Sequence, residues 1–179
     1  MNVVEQSVRD AAMSALILGF FASAWFGWAQ ERPPRTWRAA LITGAVLSLA
    51  VAVLGAVLAW QNWSGASALD APGAMRRYGI IVGVEFTAAA VGAAVLMLRG
   101  HARYVAPWIC LVVGVHFWPM APVLGDPLLI VLGAVLSAVA VAAVVVSRRT
   151  DIYPSAITGA GAGVSLLLVA VVSAFTAIA

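Results

Sequence analysis

The sequence predicts an all-α fold, a polytopic membrane bundle of six transmembrane helices, and three observations predict it. Of the 179 residues, 64% are hydrophobic and only 9% charged, where soluble domains carry about 25% charged residues. Mean hydropathy is correspondingly high, at +1.04. Apolar runs recur along the chain, each near the ~20 residues needed to cross a ~30 Å hydrocarbon layer, and the arginines cluster between them.

Taken in order, the predicted spans are residues 11–30, 39–60, 78–98, 104–124, 128–147 and 155–179, within a single integral membrane domain, 1–179. The first ends in "ERPPRTWR", where Pro33 and Pro34 stop a helix. Ala22, Ser23 and Ala24 resemble a signal-peptidase site, but Glu5, Arg9 and Asp10 precede the span and Trp25 and Trp28 follow, which favours a retained helix. The second span is followed by a longer polar connection, "QNWSGASALDAPGAMRR". Spans three and four are joined by the tight "RGHAR", four and five by "GDP", five and six by "RRTDIYP". Asp126 in "GDP" has the position of a helix cap or turn residue.

Orientation follows from the arginines. Seven lie after spans one, three and five: Arg32, Arg35, Arg38, Arg99, Arg103, Arg148 and Arg149. Only Arg9, Arg76 and Arg77 lie on the other side. The positive-inside rule places the seven-arginine side in the cytoplasm of a cell membrane and both termini outside. Trp28, Trp37, Tyr104, Trp108 and Tyr153 on one side, and Trp60, Trp63, Tyr78 and Trp118 on the other, form interfacial belts.

Composition also excludes chemistry. All ten basic residues are arginine, as expected of a GC-rich bacterial genome, so no lysine is present to form a retinal or pyridoxal Schiff base. The single cysteine, Cys110, permits neither a disulfide framework nor a thiolate cluster. No metal site and no cofactor is expected. The net charge of +3 reflects arginines flanking spans, so it does not signal nucleic acid. "TGAGAG" at 158–163 is no nucleotide loop, since neither a strand nor a P-loop lysine accompanies it.

Small residues recur every four positions in span two, at Ala40, Gly44, Ser48, Ala52 and Ala56. The pattern returns at Gly79 and Gly83, at Gly133 and Ser137, and at Ser155, Gly159 and Gly163. Such faces pack helices closely and also suit association between like copies.

One acid and one base fall well inside the spans: Glu85 in "IIVGVEFTAAA" and His116 in "VVGVHFWPM". Intramembrane ionisable groups cost about 2.5–3.5 kcal/mol on insertion scales and usually pair within the bundle. The short loop centred near His101 makes spans three and four antiparallel neighbours, with Glu85 and His116 almost equally far from it. At ~1.5 Å rise per residue their depths differ by only about 2 Å, so a hydrogen-bonded pair is expected. Pro119 and Pro122 each remove an amide from the same helix, which predicts a helix break lining a cavity beside His116.

The leading functional expectation is a small proton-coupled transporter whose Glu85/His116 site binds a proton or a small or cationic substrate. An intramembrane enzyme acting on a lipid or isoprenoid, with Glu85 as general acid or base, is the first alternative. A non-catalytic scaffold or subunit is the second. The sequence leans away from an enzyme, identifies no catalytic residue, and implies the lipid bilayer and a small-molecule or lipid substrate as partners.

Overall fold

Each helix begins and ends where the local chemistry dictates. In the computed structural model, which describes residues 7–179, the Ser7 hydroxyl accepts the Asp10 amide at 3.1 Å and starts α1, Val8–Ala29. Glu5 lies outside the described residues. The prolines at 33 and 34 follow the end of α1, and a single 3₁₀ turn, Arg35–Trp37, leads into α2, Arg38–Gln61. A second turn, Ala68–Asp70, precedes α3, Ala74–Leu98, which starts earlier than the apolar pattern suggests and takes Arg76 and Arg77 into its first turn. Long arginine side chains at a helix end can reach the interface while their stems stay apolar.

α3 closes with Gly100 at φ 72°, and the His101 amide donates to the Leu96 carbonyl at 2.7 Å. α4, Val105–Leu124, closes the same way: Gly125 lies at φ 66° and the Asp126 amide donates to Ala121. Both are Schellman-type endings in which glycine takes the left-handed residue. Asp126 then caps α5, Leu128–Ser147, its carboxylate accepting the Leu128 amide at 2.9 Å. The last helix is α6, Pro154–Ile178, with proline at its first position, where no amide is needed. All six helices are long and apolar enough to cross a membrane, and no strand occurs among the described residues.

α1 is gripped between α2 and α6 through backbone contact. A methyl group added to Gly19 would lie 2.9 Å from the Ser48 carbonyl and the Ala52 amide, and one at Gly55 would collide with the Leu16 backbone. On the other flank Gly159 meets the Trp25 carbonyl and Gly163 the Phe26 ring. Along α2 the partners descend as α1 ascends, Leu16 at Gly55 and Gly19 at Ser48 and Ala52, and along α6 Ala11 clusters with Ala177 while Ala29 meets Gly159, so α1 is antiparallel to both neighbours. Their close approach stands in for the hydrophobic effect, which lipid does not supply.

The buried face of α2 differs from the expected row. It holds Leu41, Ser48, Ala52, Gly55 and Ala59, whereas Ala40 is exposed and Ala56 only half-buried. A strict spacing of four drifts around a helix of 3.6 residues per turn, and alternating steps of four and three keep to one side.

α4 and α5 form a further tight pair, with Gly114 against Gly133 and Ser137 and the Cys110 thiol 3.3 Å from the Leu136 carbonyl. α3 is different. Its one substantial helix neighbour is α4, and only 6% of its span is buried, against 22–44% in the other five.

Candidate functional site: an acid and a base in the seam between α3 and α4

The seam is aligned by an indole. Trp108 near the start of α4 lies flat over Gly92, and its Nε1 donates to the Ala88 carbonyl at 3.2 Å. The sequence suggests only an interfacial anchor here, yet Trp108 fixes the register of two helices. Further along the same seam His116 Nε2 stands 3.6 Å from Glu85 Oε2, at the equal depth that the short loop predicts. It is the only ion pair among the described residues.

At 3.6 Å the contact is longer than an N–H···O hydrogen bond. The expected hydrogen bond is therefore replaced by a looser electrostatic contact, and closing it requires a shift of under 1 Å. His116 and Glu85 side chains retain 13% and 16% exposure. Glu85 is the twelfth of the 25 residues of α3, close to its midpoint.

The imidazole is held from behind. His116 Nδ1 lies 2.6 Å from the Val113 carbonyl, which can only accept, so Nδ1 carries a proton. In the neutral ring Nε2 then presents its lone pair to Glu85. One further proton fits between the two groups, either on the carboxyl or on Nε2.

The prolines play a different part from the one the sequence suggests. α4 remains helical across Pro119 and Pro122, and both are exposed. A proline ring already holds a helical φ, so losing single amides at two positions weakens the ladder without ending the helix. Two hollows lie elsewhere. A shallow depression of about 620 Å³ follows Gly83, Thr87 and Val91 on the outer side of α3. A groove of about 330 Å³ runs between α3, α4 and α5 near Tyr104, Trp108 and Val144. Neither is lined by Glu85 or His116.

Two contacts distant in sequence complete the ends of the bundle. The Asp10 carboxylate accepts the Ser67 hydroxyl and the Ala68 amide, each at 2.7 Å, while Arg9 stacks on Trp63 and donates to the Gly65 carbonyl. At the opposite end Arg32 and Arg103 both lie over Tyr153. Nothing in local spacing signals contacts between segments this far apart in the chain.

In comparisons with known proteins, no family model, curated protein or solved structure matches this chain. Fold and site together define its class: a membrane-embedded six-helix protein with an acid and a base facing each other inside the span.

Proposed function

We propose that the protein is a proton-exchanging membrane carrier for a small or cationic substrate, with Glu85 holding the exchanged proton and His116 tuning its hold. The observation that supports this reading is the placement of the pair, halfway along a seam whose outer helix has one substantial helix neighbour. With one shared proton the pair is neutral overall. When that proton leaves to water the pair carries one negative charge, which is costly in a membrane unless a cation takes its place. α3 is the helix that can separate from the bundle with least loss of packing, and its movement would expose the seam. In this reading Pro119, one turn beyond His116, and Pro122 loosen the α4 backbone beside the site. We further place the chain in the cell membrane, with the seven-arginine end cytoplasmic.

The test is flux. Proteoliposomes loaded with a pH-sensitive dye and challenged with tetraphenylphosphonium should show cation-driven proton exit. Glu85→Gln should abolish it while helicity and monodispersity persist, and exit that survives the change overturns the reading.

A second reading is favoured by the lateral position of the seam. A bilayer-dissolved lipid or isoprenoid could reach Glu85, acting as general acid or base, without crossing the headgroups. It requires turnover in detergent that Glu85→Gln removes, together with lipid retained beside α3.

A further inference from the structure

Arg32 and Arg103 come from different loops and meet over one ring. The Arg32 guanidinium carbon lies 5.0 Å from the Tyr153 ring centroid and that of Arg103 lies 5.9 Å from it, with Arg103 also 5.2 Å from the Tyr104 ring. Glu31 and Asp151 are the nearest carboxylates in sequence, and neither forms an ion pair with either arginine. Both cations are exposed and keep their donors free of protein acceptors among the described residues.

The backbone adds to this positive end. Tyr153 precedes the 25-residue α6, whose first turn has neither a side-chain cap nor an acidic residue. Pro154 has no amide and those of Ala156 and Ile157 turn to the Tyr153 carbonyl, so it is the positive end of the helix dipole that favours an anion here. Ser155 in that turn is only 2% exposed, and its hydroxyl has no hydrogen-bond partner among the described residues. Two planar guanidiniums beside a helix start suit a phosphate.

What distinguishes a lipid from a free phosphate is the apolar surface joined to it. Tyr104, under Arg103, also lines the groove of about 330 Å³, which continues along Trp108, Leu111, Val141 and Val144. The groove is apolar and its lining Val141 is exposed on the surface of the span, as an acyl chain requires. We propose that this end of the bundle binds one acidic phospholipid, its phosphate on Arg32 and Arg103 and one acyl chain in the groove between α3, α4 and α5.

Native mass spectrometry of the full chain, released from detergent with matched phosphatidylglycerol and phosphatidylcholine, tests this. One phosphatidylglycerol should be retained in preference by about thirtyfold, the gain expected of two arginines near a membrane surface. Arg32→Gln with Arg103→Gln should bring the preference close to unity. Arg148→Gln with Arg149→Gln, which removes equal charge from the same end, should leave most of it. Val141→Trp, filling the groove from an exposed position, should weaken retention of phosphatidylglycerol, and glycerol 3-phosphate should not displace the lipid. Circular dichroism would verify that each variant is folded. Equal retention of the two lipids, an equal loss in the Arg148/Arg149 variant, unchanged retention in Val141→Trp, or displacement by glycerol 3-phosphate would each overturn the proposal.

Discussion

At Glu85 two magnitudes compete. Carrying an ionisable group into the membrane costs about 2.5–3.5 kcal/mol on insertion scales, and one intramembrane polar contact returns about 0.6–2 kcal/mol. The His116 contact therefore does not offset the cost of the carboxyl, and a neutral amide would serve a purely structural role better. Glu85→Gln should leave unfolding free energy within about 1 kcal/mol of the parent, measured by denaturant titration in mixed micelles, while removing proteoliposome flux. A loss beyond about 2 kcal/mol would instead make the pair a structural clasp. This pairing was legible in the sequence because helical rise and a short loop turn residue numbers into depths. The contacts of Asp10 with Ser67 and of Arg32 with Tyr153 were not, since each joins segments whose separation no periodicity encodes. The prolines misled for a related reason: a missing amide is visible in sequence, but whether the helix absorbs the gap depends on the rest of its ladder.

Among the elements, α3 stands apart from the other five. Hydrogen exchange in detergent should open α3 before α1 or α6, because opening free energy follows the packing that must be given up; simultaneous opening would contradict a movable outer helix. Glycines separate the two kinds of helix as well. Gly55→Leu forces a side chain into the α1 backbone and should destabilise by about 1–3 kcal/mol or more, whereas Gly83→Leu on the open side of α3 should be nearly neutral. Denaturation of both variants, with mass photometry for Gly83→Leu, tests this. Dissociation of a complex by the latter would show that Gly79 and Gly83 serve an interface between copies, the expectation that their spacing raises. In α2 the sequence revealed that small residues would face a neighbour but not which ones, because the choice between steps of four and three belongs to the partner's surface.

Across the whole molecule, hydropathy and the charge gaps between runs were enough to read six helices, since lipid imposes the same length and backbone closure on every span. Orientation rests on seven arginines against three. In a Cys110→Ser background, an impermeant maleimide applied to intact cells should label Ser64→Cys and spare Arg149→Cys; the reverse pattern would invert the assignment. The broad contact between α1 and α6 has one more consequence. The first and last helices share the most extensive interface of the bundle, and Ala11 packs in one cluster with Ala177. Of the six helices a ribosome releases these two furthest apart in time, so the bundle cannot seal until α6 has been made, and α1 waits with its glycine-fitted side unmatched. A circular permutant that links the two ends and opens the chain at Gly65 would make α6 and α1 consecutive. It should reach the sealed state sooner than the natural order of helices, as pulse-labelled protease resistance would show.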